Sequence, residues 1–212
     1  MLNVGETTIP GADRRPDQLR ERGCAIRIPT NAASSDHSGA IAKFKRLAVR
    51  VDDEIITSRE ATLQALGRGH WGVLTATTDP FGDQPNTVTG LCDAPNDYHA
   101  VEQFLFLSST EWIASSQELL VKAMQDLSRP IIIESADLTA PRNDGFSIEL
   151  GYFGQQVADL TADRIQFVGK PFPKVYGILK GSLTSLSSDR IAMCGDTLHT
   201  DILGAVAGAL QL

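Results

Sequence analysis

The stretch Met193–Asp201 (MCGDTLHTD) contains the most specific motif in the sequence. An apolar run over Ile191–Cys194 predicts a strand, and Asp196 follows that strand directly after a glycine. Asp201 comes five residues later and opens a predicted helix over 201–210. Two carboxylates on one turn suit Mg²⁺, which prefers hard oxygen donors and few protein ligands. The alternative is structural: Asp196 ends the strand and Asp201 caps the helix.

A second candidate site follows the predicted strand Cys24–Ile28. Thr30 and Asn31 supply a hydroxyl and an amide just before a predicted helix over 38–48. A hydroxyl together with backbone N–H groups at a helix start can hold a phosphate oxygen. The alternative is that Thr30 or Ser34 only caps that helix.

A third candidate site is Val168–Pro173 (VGKPFP), between a predicted strand over 165–168 and a predicted helix over 173–180. Lys170 follows the strand and a glycine, and the prolines preset the entry into the helix. A lysine fixed there can neutralise a phosphate or a carboxylate intermediate. The alternative is a solvated surface lysine.

The chain alternates short apolar runs with amphipathic segments, which predicts an α/β fold. The best helix pattern covers 111–127, and strands are predicted over 103–107 and 131–133. The middle of the chain differs in style, so we predict an inserted α/β domain over 67–163 between two parts of one core, 1–66 and 164–212. Open α/β sheets place ligands at the carboxyl ends of their strands, so the three candidate sites are expected to converge.

Composition excludes several function classes. The 212 residues contain 19 Lys and Arg against 26 Asp and Glu, a net charge of −7. An acidic chain without a basic patch is a poor nucleic-acid binder. The sequence has neither a long apolar run nor a signal-peptide core, so no membrane partner is expected. Three scattered cysteines (Cys24, Cys92 and Cys194) predict a reduced, cytoplasmic protein.

These three motifs together resemble those of the haloacid dehalogenase (HAD) superfamily. The likeness is greatest to its NagD-like and 4-nitrophenylphosphatase-like class, which inserts a large α/β cap between the second and third motifs. Ile28–Asn31 matches the second motif, Gly169–Pro171 the third and Gly195–Asp201 the fourth. The resemblance implies a Rossmann-like, three-layer α/β/α core with a mostly parallel sheet, carrying an inserted cap.

The resemblance also implies a role for each matched residue. Thr30 would bind the transferred phosphoryl group with Asn31 beside it in the substrate site, and Lys170 would steady the phosphate charge. Asp196 would hold Mg²⁺, and Asp201 would support that metal site through water. Thr30, Lys170 and Asp196 are therefore the predicted catalytic residues.

The implied activity is Mg²⁺-dependent hydrolysis of a small phosphorylated metabolite through an aspartyl-phosphate, in a homodimer. The cap would select the substrate. Its candidate contributors are Asp137, Arg142, Asn143 and Asp144. The alternative for these four residues is a polar surface loop.

The chain departs from the family at its first motif, Asp-x-Asp-Gly, which supplies the nucleophile. Nothing in residues 1–20 matches it, since Asp13 and Asp17 have no apolar strand before them. We therefore expect the nucleophile-bearing strand to be absent from this chain and its turnover to be low. The alternatives are a non-catalytic phosphate- and metal-binding or regulatory protein, and an inactive fragment.

Overall fold

The computed structural model describes residues 2–31, 36–51, 54–79, 87–91, 95–161, 163 and 165–211. The strands are β1 (Asn3–Val4), β2 (Thr7–Thr8), β3 (Ile28–Thr30), β4 (Ile55–Thr57), β5 (His70–Leu74), β6 (Thr87–Gly90), β7 (Gln103–Phe106), β8 (Ile131–Ile133), β9 (Thr139–Arg142), β10 (Gly145–Ile148) and β11 (Ile165–Phe167). The α-helices are α1 (Arg15–Glu21), α2 (His37–Arg46), α3 (Ser58–Leu63), α4 (Ala114–Asp126), α5 (Leu150–Thr161), α6 (Pro173–Gly181) and α7 (Leu203–Ala207).

The centre of the fold is a five-stranded parallel sheet with strand order β11-β8-β7-β5-β6. The inner strands β5, β7 and β8 are mostly apolar and buried because both faces of the sheet are covered there. Successive side chains point to opposite faces, so Leu105 and Ile132 join one buried cluster, and Phe104 and Ile131 join the other.

Helices cover the two faces of this sheet. α3 and α6 contribute Ala61 and Val175 to the first cluster, whereas α4 and α5 contribute Leu120 and Val157 to the second. The result is a three-layer α/β/α arrangement with a parallel central sheet, which confirms the predicted fold class.

A second, two-stranded parallel sheet joins β3 to β4, with Ile28 opposite Ile55 and Thr30 opposite Thr57. α2 packs on this sheet through a cluster that includes Phe44. Two antiparallel hairpins, β1–β2 and β9–β10, complete the described elements.

Three predicted elements differ from the observed ones by more than a few residues at their ends. The strand predicted over Cys24–Ile28 begins only at Ile28, where pairing with β4 starts. The strand predicted over Ile191–Cys194 is reduced to one bridge between Ala192 and Gln211 among the described residues. The helix predicted over 201–210 is a π-helical turn, Leu198–Ile202, followed by the short α7.

The predicted division at 67 and 163 stays a prediction. The five-stranded sheet takes four strands from the predicted insertion, and β11, which follows the second boundary, pairs with β8. Cys24 and Cys194 are free, exposed thiols. Ser34 and Cys92 lie outside the described residues. No helix in the described part of the chain has the length and apolar character that crossing a membrane requires.

Candidate functional site

The candidate site is built where loops at the carboxyl ends of β3 and β11 meet. The Asn31 side chain makes two hydrogen bonds to the main chain of Lys170. Its Oδ1 accepts a hydrogen bond from the Lys170 backbone N at 2.7 Å, and its Nδ2 donates to the Lys170 carbonyl at 3.0 Å. An amide can make this double contact because it carries an acceptor and a donor on one rigid group. The second and third predicted motifs are therefore joined directly.

Lys170 in turn contacts the fourth motif. Its Nζ lies 2.6 Å from Asp201 Oδ1, and the two side chains are only 13% and 8% exposed. The π-helical turn buries the Asp201 side chain. Asp201 Oδ2 accepts a hydrogen bond from the Thr197 backbone N at 3.3 Å. Lys170 is therefore not the solvated surface lysine of the alternative interpretation.

Two motif glycines allow these close approaches. A Cβ on Gly169 would lie 2.6 Å from the Glu134 carbonyl oxygen and 2.8 Å from Asn31 Oδ1. A Cβ on Gly195 would lie 2.5 Å from Asp201 Oδ2. Carbon and oxygen cannot come so close, so a larger residue would displace the Glu134 backbone at the first position and the buried Asp201 side chain at the second.

Asp137 joins the site from the turn after β8. Its Oδ2 accepts a hydrogen bond from Asn31 Nδ2 at 3.1 Å, and its backbone N donates to Ser135 Oγ at 3.2 Å. Burial raises the pKa of Asp137, while the Asn31 hydrogen bond and the Lys170 charge oppose that rise.

Thr30 and Asp196 lie beside this cluster. Thr30 is the half-buried last residue of β3, directly before Asn31. Asp196 is exposed on the turn that leads to Asp201, and its Oδ2 accepts a hydrogen bond from Thr197 Oγ1 at 3.4 Å. The structure thus brings Asn31, Lys170 and Asp201 into direct contact, and the roles assigned to all five residues stay predictions.

The other cap candidates lie on the β9–β10 hairpin. Arg142 is paired with Glu149 at 2.7 Å, and Asn143 Oδ1 accepts a hydrogen bond from Thr7 at 3.2 Å. Asp144 is exposed at the hairpin turn. Of the four candidates, Asp137 is the one whose described contacts include Asn31.

Sequence reasoning missed a buried charge cluster next to the site. Arg59, at the start of α3, forms a two-point ion pair with Asp79 and lies 4.0 Å from Glu134. Ser58 Oγ donates a hydrogen bond to Glu134 Oε1 at 2.9 Å. One sequence feature could have indicated this cluster: Glu134 directly follows the apolar run Ile131–Ile133.

The donor set for a metal is limited to carboxylates. No group of three His, Cys, Asp or Glu side chains suited to a metal occurs in the part of the chain that the structure describes. Asp201 is largely buried and contacts Lys170 and Thr197, whereas Asp196 is exposed. Mg²⁺ is commonly held by one or two carboxylates and several waters, so this donor set fits it.

The fold of this chain is similar to that of solved structures of haloacid dehalogenase-like hydrolases. It is similar to a haloacid dehalogenase-like hydrolase from Brucella suis 1330, with a TM-score of 0.84 and 18% identity over 99% of this chain and 79% of that one.

Two further solved structures have the same fold. A "possible sugar phosphatase, HAD superfamily" from Cytophaga hutchinsonii gives a TM-score of 0.81 and 21% identity over 96% of this chain and 76% of that one. A p-nitrophenyl phosphatase from Archaeoglobus fulgidus gives 0.74 and 17% over 98% of this chain and 80% of that one. No protein-family model and no curated protein sequence matches this chain. The fold implied by the motif resemblance is therefore confirmed.

Proposed function

We propose that this chain forms the phosphate- and metal-binding part of a Mg²⁺-dependent phosphohydrolase that acts on a small phosphomonoester. The observation that carries the proposal is the contact chain Asn31–Lys170–Asp201, which joins three motifs from distant parts of the sequence. The phosphatases among the structures with this fold support the same reaction class.

Lys170 is the group proposed to receive the phosphate. An ammonium carries three N–H donors, so Nζ can keep its contact with Asp201 and still donate to a phosphate oxygen. Thr30 would add a hydroxyl donor from the end of β3. Asn31 holds the Lys170 backbone, so the charge is preorganised where negative charge develops on the transferred group.

Asp196 and Asp201 are the residues proposed to hold Mg²⁺, Asp196 directly and Asp201 through water. A bound Mg²⁺ supplies Lewis-acid stabilisation of phosphate charge. The Lys170–Asp201 contact already partly neutralises the Asp201 carboxylate, which favours an indirect role for Asp201.

The attacking group is assigned to none of the described residues. The sequence contains no Asp-x-Asp-Gly, and transfer through an aspartyl-phosphate needs a carboxylate in line with phosphorus. This observation favours a second candidate function, a protein that binds phosphate and metal without turnover.

Binding and turnover measured on the same preparation separate the two functions. Inorganic phosphate is titrated calorimetrically with and without Mg²⁺, and hydrolysis of 4-nitrophenyl phosphate is followed in parallel. Lys170→Met is the test variant, and Lys174→Met, at an exposed lysine on α6, is the matched control.

Mg²⁺-dependent hydrolysis that Lys170→Met abolishes and Lys174→Met retains supports the phosphohydrolase. Phosphate binding that depends on Lys170 but comes without hydrolysis supports the binding protein. If the parent chain does not bind phosphate, both functions are wrong.

The remaining expectations belong to the same proposal. They are a cytoplasmic protein, a homodimer and a substrate-selecting cap over 67–163 that includes Asp137. Sedimentation of the purified chain tests the dimer, since a mass of one chain, 22.8 kDa, would contradict it.

A further inference from the structure

The buried cluster around Glu134 lies directly behind the candidate site. Glu134 is fully buried and Arg59 is 3% exposed. Within the described part of the chain, Glu134 Oε2 and Arg59 Nε have no hydrogen-bond partner. The Glu134 side chain is instead held at its other oxygen, where Ser58 Oγ donates at 2.9 Å.

The charges of this cluster do not balance if every group is ionised. The groups that face Glu134 are Arg59 from α3 and Asp79 from the loop after β5, and Asp79 is already paired with Arg59. If Glu134 were ionised as well as Asp79, the cluster would hold one excess negative charge away from solvent, which is costly. Burial raises the pKa of Glu134 well above its usual range, and the Arg59 charge and the Ser58 hydrogen bond oppose that rise.

The main chain of Glu134 connects the cluster to the site. Its carbonyl accepts a hydrogen bond from Gly169 N at 2.8 Å, and its own N donates to the Phe106 carbonyl at 3.1 Å. Gly169 packs closely between this carbonyl and the Asn31 side chain, with no room for a Cβ atom. The next residue, Lys170, therefore has its position set by Glu134 on one side and Asn31 on the other.

We propose that Glu134 is a positioning residue of the candidate site: its side chain, anchored by Ser58, fixes the turn whose carbonyl holds Gly169 and thereby Lys170. The inference rests on the proposed function, because it gives Glu134 a role only if Lys170 acts on phosphate. Glu134 itself does not touch the substrate.

Amide hydrogen exchange on the full chain tests this role, with the amides of Gly169 and Lys170 as the readout and those of α4 as the internal reference. The variants are Glu134→Gln, Glu134→Ala and Ser58→Ala. Gln keeps an acceptor for Ser58 and is uncharged, so it should preserve the parent exchange rates. Ala removes the anchor and should accelerate exchange at Gly169 and Lys170 by roughly tenfold relative to α4, as expected for a lost buried hydrogen bond.

Unchanged rates in both alanine variants would overturn the proposal, as would an equal acceleration in α4, which indicates global destabilisation. Ser58→Ala decides the matter if Glu134→Ala does not fold. The readout needs neither phosphate nor turnover. A parent chain that does not bind phosphate therefore refutes the proposed function without altering the exchange result.

Discussion

Lys170 Nζ and Asp201 Oδ1 lie 2.6 Å apart, although 31 residues separate them in the sequence. Both side chains are largely withdrawn from solvent, so each neutralises a charge that would be costly to bury alone. This pair joins the loop after β11 to the turn before α7.

Replacing one member of the pair should destabilise the fold more than replacing both. Lys170→Met leaves Asp201 buried without its cation, which should cost about 3 kcal/mol in the free energy of unfolding. Adding Asp201→Asn should recover part of that loss, with a coupling of roughly 1–2 kcal/mol in a denaturant double-mutant cycle. Additive losses would show that the contact contributes little.

Asp196 should matter for metal binding and not for stability. It is exposed, so Asp196→Asn should change the free energy of unfolding by less than about 0.5 kcal/mol. The same change should abolish Mg²⁺ binding measured by calorimetry, because the accessible carboxylate is lost. Asp189→Asn, at another exposed aspartate, is the matched control. Full Mg²⁺ affinity in Asp196→Asn would remove Asp196 from the proposed metal site.

Alanine at Gly169 and at Gly177 should have effects of opposite sign. At Gly169 the new methyl group meets the Glu134 carbonyl at 2.6 Å, so a loss of about 2 kcal/mol or more is expected. Gly177 lies within α6, where a methyl group would have no neighbouring atom within 4 Å, so alanine should stabilise by about 0.5–1 kcal/mol. Thermal unfolding of the two variants measures both values, and a neutral Gly169→Ala would contradict the close approach.

The Asn31–Asp137 hydrogen bond can be tested by exchanging the two groups. Asn31→Asp places two carboxyl oxygens at the 3.1 Å contact and also removes the donor to the Lys170 carbonyl. It should therefore destabilise by about 2 kcal/mol at neutral pH. Combining it with Asp137→Asn restores one donor at that contact and should recover part of the loss. A double variant as unstable as the sum of the single variants would argue against the contact.

Glu134 should make the protein less stable as the pH rises. Burial raises its pKa in the fold well above the usual range of a glutamate, so its contribution to stability is fully present below the unfolded pKa. That contribution is lost as the pH rises through the folded pKa, where the buried acid must ionise. Glu134→Gln cannot ionise and should remove this part of the pH dependence. Parent and variant melting temperatures that change with pH in parallel would contradict the raised pKa of Glu134.

The local patterns of the sequence are sufficient for the fold class. Three consecutive isoleucines predict β8 with its observed limits, because such a run fits a strand buried on both faces. The helix patterns over 111–127 and 173–180 predict α4 and α6, with ends that differ from the observed ones by a few residues. The predicted strand over Ile191–Cys194 is less successful, since strand formation also depends on a neighbouring strand with which to pair.

The sequence alone shows which polar residues follow the predicted strands: Thr30 and Asn31, Lys170, Asp196 and Asp201. Tertiary structure alone decided that Asn31 holds the Lys170 backbone, that Lys170 pairs with Asp201, and that Asp137 joins them. It also placed Glu134 in a buried charge cluster with Arg59. Periodicity and capping are properties of neighbouring residues, whereas an ion pair or a buried charge depends on which distant segments the packed sheet brings together.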